Sequence, residues 1–491
     1  MIEDAEPPLD PGWVDEVLLA GRAADHCLVL GAPTDRASLR ALVAGEQARL
    51  TEAGLRRGGV IALCLPPSLA FISTLFAAWR IGAQAILLDH RLTAYETERA
   101  LARLTPQVVV RAKQAPDGAL RGFAQVTAEV STYPGLPAAG PHALVQLSSG
   151  STGPSKVIGR TAADLVAEID RYRQIDGVSR EGERIVSLAS MVHVLGLVGG
   201  LLYGLAAGVQ LAVPERMTPL GILDTVAAGL EPTTLLGVPF HIELLASVAD
   251  PPPLPQLTGM TTGGELVRSG VYESFVNRYG VRLGNMYGMT EAGVIATDLF
   301  AADRPALRPA PGLTVREQGG ELHLAMPRSP YLGDTDPARW SEGWLHTRDA
   351  GSVDPRTGLM RVLGRRDSQV SVGGLKVDLT EVEHTLADLP EVEGAVVVFD
   401  KAIEAYVVLR NPDAQTRVRE LLAQRLAAYK RPRVLHVVER LPRTATGKLV
   451  RDQTVLQQTA PQQEQPRQTQ SQEAATRGAP QAGAAELNLA R

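Results

Sequence analysis

Short, wholly apolar runs alternate with amphipathic stretches along most of this 491-residue chain, and that alternation narrows the fold more than any other feature. Residues 59–65 (GVIALCL) are apolar throughout, as in a strand buried on both faces. Residues 69–79 have the spacing of an amphipathic helix, 83–88 return to strand, and Val108-Val109-Val110 is a further strand. Repetition of this kind predicts an α/β fold, with mainly parallel sheets wrapped by helices. Between about 305 and 365, short strands and Gly/Pro turns replace the helices and predict a β subdomain. After a charged turn at 364–367 comes a compact α+β segment. Its expected elements are a helix at 380–389, strands at 394–398 and 405–409, and a helix at 414–429.

This pattern predicts a large N-terminal domain over 1–364, a connection at 365–368 and a small C-terminal domain over 369–456. Residues 457–491 contain nine glutamines and little aliphatic content. They cannot bury enough surface to offset the entropy of ordering, and are expected to be disordered.

Composition excludes several classes. A net charge of −5 gives no strong basic field, so nucleic acid is not the expected partner. Cys27 and Cys64 are the only cysteines, which fits a reducing compartment such as the cytoplasm and rules out a disulfide framework. The acidic N-terminus has no apolar core of the secretory kind. Residues 191–213 carry no charge and are long enough to span a bilayer. Their five glycines and the break at Ala206-Ala207-Gly208 favour instead a buried helix followed by a strand at 209–213. No membrane span is expected.

The most distinctive chemistry lies in the loop Ser148-Ser149-Gly150-Ser151-Thr152-Gly153-Pro154-Ser155-Lys156, which follows the apolar run Ala143-Leu144-Val145-Gln146-Leu147. Glycines let backbone N–H groups approach an anion, hydroxyls add donors and lysine adds charge, a set suited to a polyphosphate. The spacing is not that of the P-loop NTPases, because Lys156 is three residues after Gly153 and Val157 follows it. A solvated turn is the alternative reading of the loop taken alone.

Four later segments make a series with this loop. They are Asn285-Met286-Tyr287-Gly288-Met289-Thr290-Glu291, Gly343-Trp344-Leu345-His346-Thr347-Arg348-Asp349, Gly364-Arg365-Arg366-Asp367 and Leu441-Pro442-Arg443-Thr444-Ala445-Thr446-Gly447-Lys448. Together, and in this order, they resemble the signature motifs of the adenylate-forming superfamily, which includes acyl- and aryl-CoA synthetases, adenylation domains of peptide synthetases, and luciferases. The likeness runs from about residue 40 to about 455.

The resemblance implies ATP-dependent activation of a carboxylic acid to an acyl-adenylate, then transfer to a thiol. ATP, Mg²⁺ and either CoA or a phosphopantetheine carrier are the implied cofactors and partners, with a small carboxylic acid as substrate. It implies that the loop, including Ser148, Ser149, Gly150, Ser151, Thr152, Gly153 and Lys156, holds the β- and γ-phosphates. Thr290 would lie by the α-phosphate, Glu291 would hold the metal, and Lys448 would contact the carboxylate and the α-phosphate. Asp349 and Arg365 would bind ribose, with Tyr287 in the same nucleotide site, and Gly263, Gly264 and Glu265 would flank adenine. Outside the motif series, Glu291 reads as a helix cap and Lys448 as a surface lysine. Asp367 is the expected hinge between two half-reactions, and 370–377 would face the site for thioester formation. Two departures from the family pattern stand out: Ser155 occupies the usual Pro position, and Ser371 a frequent Lys position.

The acyl pocket is expected to use His193, Val194, Leu197, Phe240, Met286 and Gly288. Residues 185–214 contain no acidic side chain to pair with an α-ammonium, and a buried unpaired ammonium is costly, so an ordinary α-amino acid is disfavoured. Val194 stands where the hydroxybenzoate-activating branch typically has Asn, so an apolar aryl, aliphatic or unsaturated acid fits better. CoA ligase, carrier-protein loading enzyme, inactive scaffold and oxygen-dependent enzyme remain the competing readings, in that order.

Overall fold

The structure is a computed structural model that describes residues 10–114, 121–148, 156–264, 267, 269–333, 336–366, 368–442 and 449–459. It is an α/β protein built on two main sheets. The first has six strands, in the order Ala128–Thr132, Val108–Ala112, Val60–Cys64, Gln84–Leu87, His142–Ser148 and Lys156–Thr161. The inner four run parallel and the two edge strands are antiparallel. Val60–Cys64 and Gln84–Leu87 are buried along almost their whole length, as the unbroken apolar runs require.

The second sheet has nine strands. Its parallel centre places Arg184–Ser187 between Gln210–Ala212 and Thr233–Gly237, with Leu257–Gly263 and Arg282–Met289 following on one side. Gly293–Asp298 then turns back antiparallel. One hydrophobic core joins both sheets through intervening helices. It contains Leu63 and Leu144 from the first sheet, Leu28 and Leu211 from the second, and Phe76, Leu165 and Leu201 from helices.

The helix Leu69–Ile81 starts where Ser68 accepts from the Phe71 N–H at 3.0 Å, and stops at Gly82 in the left-handed region (φ 78°). The uncharged stretch at 191–213 forms a π-helical segment, Leu195–Leu202, that passes into the α-helix Tyr203–Ala206 and then the strand Gln210–Ala212. Its glycines serve packing: a Cβ on Gly199 would lie 2.6 Å from the Tyr172 hydroxyl. Among the described residues no helix is long and apolar enough to cross a membrane.

A five-stranded sheet from Val315–Gln318 to Met360–Arg365 follows, with its own core around Leu322, Leu324 and Leu345. The hairpin Gln369–Val372/Leu375–Asp378 comes next, turning through Gly373 and Gly374 at φ 58° and 81°. The C-terminal part packs the helices Leu379–Ala387 and Gln415–Arg425 on a three-stranded sheet, around Val382, Val397, Val407 and Leu422. The second of these helices is shorter than the expected 414–429. Leu426 is extended (φ −125°, ψ 137°), and Ala428–Lys430 forms a separate 3₁₀ turn ahead of Pro432. A final helix, Gln453–Thr459, anchors through fully buried Leu456 and so carries order three residues past 456. Residues 460–491 lie outside the described part.

Candidate active site

The carboxyl ends of Gln84–Leu87 and His142–Ser148 in the first sheet, and of Leu257–Gly263 and Arg282–Met289 in the second, face one cavity of about 750 Å³. Ligands of open α/β sheets bind in such crevices, because strand ends leave loops and backbone groups free to contact them. Lys156 lies in its wall. The strands on either side of the Ser/Thr/Gly loop form an antiparallel pair, with Ser148 and Lys156 directly opposite each other, so the loop bridges a hairpin. Residues 149–155 themselves, and the Ser148 side chain, lie outside the described part.

Strand Arg282–Met289 brings Met286, Tyr287 and Gly288 to the cavity, and the turn after it brings Thr290 and Glu291. That turn joins two antiparallel strands, so Glu291 caps no helix. Its carboxylate accepts from the Tyr331 hydroxyl at 3.1 Å. Asp349, from strand Trp344–Val353, is only 5% exposed and faces the same space. Tyr287 donates to its Oδ2 at 2.6 Å, and the Asp349 N–H donates to Thr347 Oγ1 at 3.1 Å. Arg365 pairs with Asp349 in strand register; its side chain is outside the described part. Gly263 ends its strand against Met286, and Gly264 lines the cavity with φ 98°. Glu265, Asp367 and Lys448 are outside the described residues. Pro442 and Val450, which flank the lysine segment, hydrogen-bond to each other at 2.9 Å, and neither lines the cavity.

The part of the cavity where the acyl pocket is expected is lined differently from the sequence expectation. His193, Met286 and Gly288 line it; Val194, Leu197 and Phe240 do not. Leu197 is fully buried in the central core, because the π-helical segment turns that face inward, and Val194 packs on the same core. Phe240 is 43% exposed with its ring against His241, while His241 turns inward and accepts from the Val238 N–H at 3.2 Å. In their place come Leu87, the last residue of strand Gln84–Leu87, and Leu88, Asp89 and Leu92 after it, together with Gln146 and Val192. Gln146 is fixed by donating to the Val192 carbonyl at 2.6 Å. The strand-then-Asp pattern at Leu87-Leu88-Asp89 was the available signal for this wall.

Asp89 is the acidic group that the stretch 185–214 lacks, but Arg91 is already on it. Arg91 donates to Oδ1 at 2.8 Å and Oδ2 at 2.5 Å, and its N–H adds a bond at 2.9 Å. Burial pushes Asp89 up, but the bonds and charge of Arg91 outweigh it and hold the carboxyl at about 2. Burial lowers His193 below the ordinary imidazole value, against the opposing pull of Asp89, which favours a neutral ring at pH 7.

The C-terminal part closes the cavity with Val370, Ser371 and Lys376 from the hairpin, and with Glu381, Tyr429 and Lys430. The Lys376 ammonium reaches the Gly264 carbonyl at 3.4 Å. None of these was singled out for the site from sequence except the hairpin itself.

The sequence pattern of the AMP-binding enzyme family matches residues 39–320, and that of the AMP-binding enzyme C-terminal domain matches 381–448. The chain belongs to the AMP-binding enzyme family. This is the adenylate-forming superfamily to which the motifs pointed. Among curated relatives, the benzoate–CoA ligase of Thauera aromatica is 28% identical, over 88% of this chain and 93% of that protein. The o-succinylbenzoate CoA synthetase of Bacillus subtilis, as a double mutant bound with a product analogue, superposes with a TM-score of 0.76 at 22% identity, covering 91% of this chain and 98% of that one. The same synthetase in complex with its acyl-adenylate intermediate gives 0.61 at the same identity and coverage.

Proposed function

We propose that this AMP-binding enzyme is a cytoplasmic acid–thiol ligase that activates an apolar aryl or aliphatic carboxylic acid with ATP and transfers the acyl group to CoA. The observation that carries this reading is the single cavity joining a polar nucleotide side (Lys156, Thr290, Glu291, Asp349) to an acyl side of Leu87, Leu88, Val192 and Met286.

In the first half-reaction the substrate carboxylate attacks the α-phosphorus of ATP and pyrophosphate leaves. Two anions must meet, so cationic groups are needed where they approach; Lys156, and Lys448 when its segment enters, supply them. Asp349, oriented by Tyr287, is placed to accept from the ribose hydroxyls. Glu291, at the cavity wall beside Thr290, provides the hard oxygen ligand that Mg²⁺ requires. When bound, Mg²⁺ neutralises phosphate charge. In the second half-reaction the thiol sulfur attacks the acyl carbonyl carbon, the C–O bond to AMP breaks and the thiol proton is released.

The acyl side disfavours an α-ammonium, because Asp89 is neutralised by Arg91 and His193 favours the neutral form. Cys27 and Cys64 are both unpaired, in keeping with a reducing compartment.

We place the hinge at Asp367, between a large domain ending near 364 and a small domain over 369–456. On one side of it the Arg366 N–H donates to the Arg348 carbonyl at 2.8 Å; on the other the Ser368 carbonyl accepts from the Leu379 N–H at 3.1 Å. The present arrangement turns the hairpin, rather than the flanks of the lysine segment, toward the cavity. That supports reading it as the thiol-facing orientation. The better superposition on the product-analogue complex than on the acyl-adenylate complex supports the same reading.

The test is acid-dependent exchange of labelled pyrophosphate into ATP across aryl, aliphatic and amino acids, with Lys448→Ala beside the wild type. CoA or a phosphopantetheine carrier is then added to detect the thioester. Exchange with an aryl or aliphatic acid, lost in Lys448→Ala, and thioester formation with free CoA are expected. Exchange confined to amino acids, or transfer only to the carrier, would overturn the reading.

A further inference from the structure

We propose that Lys430 is a latch residue: by bridging Glu96 of the large domain to Glu381 of the small one, it holds the thiol-facing arrangement and so positions the enzyme for acyl transfer. This inference rests on the ligase reading above and adds the device that selects its second orientation.

The Lys430 ammonium lies 2.9 Å from Glu96 Oε1 and 2.9 Å from Glu381 Oε1, with only 10% of its side chain exposed. The two carboxylates differ in kind. Glu381 sits in the first turn of Leu379–Ala387, next to Lys430 in the small domain, and moves with it. Glu96 sits in the large domain, at the third position of the helix Ala94–Leu104. There its Oε2 accepts from the Thr93 N–H at 2.9 Å and the Thr93 hydroxyl at 3.0 Å in a capping box. The box fixes the Glu96 rotamer before any small domain arrives and leaves Oε1 facing Lys430. The Lys430–Glu96 contact is therefore a preformed acceptor meeting a mobile donor, and only this half of the cluster breaks when the domains part.

The seam around it is built for reversible contact. Arg91 lies over the Tyr429 ring at 5.7 Å, and Arg425 over the Tyr95 ring at 5.8 Å, both across the same boundary. Such contacts separate into water without leaving an apolar face bare. Glu96 keeps its cap when the seam opens, and Lys430 keeps Glu381, so neither domain is left with a buried unpaired charge. A purely structural buried pair has no such provision.

The variants are Lys430→Met, Glu96→Gln (which can retain the cap) and the double mutant. Three quantities are read: acid-dependent pyrophosphate exchange, transfer from a supplied acyl-adenylate to CoA, and cross-linking by a short bis-maleimide between Tyr95→Cys and Arg425→Cys. Native Cys64 reacts slowly, because burial pushes its thiol up to about 11. Each single variant is expected to lower thiol transfer about tenfold, the scale of one partly buried charged hydrogen bond, with cross-linking falling in parallel and exchange falling markedly less than transfer. The double mutant should be no worse than Lys430→Met alone, since the two residues make one contact. Unchanged transfer and cross-linking in Lys430→Met would overturn the latch, as would equal loss of both half-reactions. If the wild type exchanges no acid, the ligase reading fails instead, and cross-linking alone decides the latch.

Discussion

Tyr287 donates its phenolic hydrogen bond to Asp349 Oδ2 over 2.6 Å, joining the end of a strand in the nine-stranded sheet to one in the β subdomain. The bond fixes the rotamer of a 5%-exposed carboxylate that faces the cavity. An aspartate held this way costs a ligand little ordering entropy. Tyr287→Phe should therefore raise the KM for ATP about fivefold with kcat little changed, the cost of one hydrogen bond. Asp349→Ala should cost more than about a hundredfold in kcat/KM, because it removes a charged acceptor. Steady-state kinetics against ATP at saturating acid check both; equal effects of the two substitutions would mean that the tyrosine itself is the ligand.

Glu168 ties the site's turn to the core. It is fully buried, contacts Arg160 at 2.6 Å and accepts from the Val294 N–H at 3.0 Å, just after the turn that carries Thr290 and Glu291. Removing one partner of a buried ion pair strands the other, so Glu168→Ala should destabilise by about 3–5 kcal/mol. Gly293→Ala should also destabilise, since its Cβ would fall 2.1 Å from the Glu168 carboxyl carbon at φ 77°. Thermal denaturation measures both. A melting temperature unchanged in Glu168→Ala would contradict the buried pair.

Much of this architecture is legible in the sequence because its signals are local. The strand runs, and each motif of the series, lie within about ten residues. The acyl wall is not local. Which face of 191–206 meets the cavity depends on a π-helical phase that places Leu197 inward, and no 3.6-residue pattern reveals it. Asp89 and Gln146 come together only because strands distant in sequence pair in one sheet, and Lys430 reaches them only through packing of the C-terminal part; each alone reads as an ordinary turn, strand or surface residue. The early end of Gln415–Arg425 reflects the extended backbone at Leu426, where helix propensity favoured continuation.

His241 makes stability depend on pH. Burial lowers it from an ordinary value of 6.5 to about 4, and its Nδ1 accepts a backbone hydrogen bond that only the unprotonated nitrogen can take. The unfolded chain binds the proton below about 6.5 and the folded chain does not until about 4. Stability from this group is thus present above 6.5 and lost as pH falls through that window, by up to about 3 kcal/mol. His241→Gln keeps an acceptor at the capping position and cannot titrate. The wild-type melting temperature should fall more steeply than the variant's between pH 7 and 4; parallel curves would exclude His241 as the cause.

Asp367→Pro tests the pivot. Its neighbours are hydrogen-bonded to different parts, Arg366 to Arg348 and Ser368 to Leu379, so the proposed rotation would be absorbed near 367. Proline locks φ near −65° and removes a dihedral from that short connection. Pyrophosphate exchange should stay within about threefold of wild type while thioester formation falls more than about tenfold, as expected for a step gated by domain motion. Equal loss of the two activities would place the pivot elsewhere.

Gly374 faces Val238 with the hairpin docked on the large domain, and the alternation proposed above would part them. A Cβ added there would lie 2.3 Å from Val238 Cγ2, at a glycine with φ 81°. The backbone strain of alanine, about 1–2 kcal/mol, acts in either orientation, but the collision acts only in the docked one. Gly374→Ala should therefore lower thiol transfer by more than tenfold while pyrophosphate exchange changes by about twofold at most. Val238→Ala removes the methyl groups that the new Cβ strikes, so adding it should recover much of the lost transfer, a non-additivity expected of residues in contact. If the second substitution restores nothing, the hairpin strain alone accounts for the defect and the docking contact has no part in it.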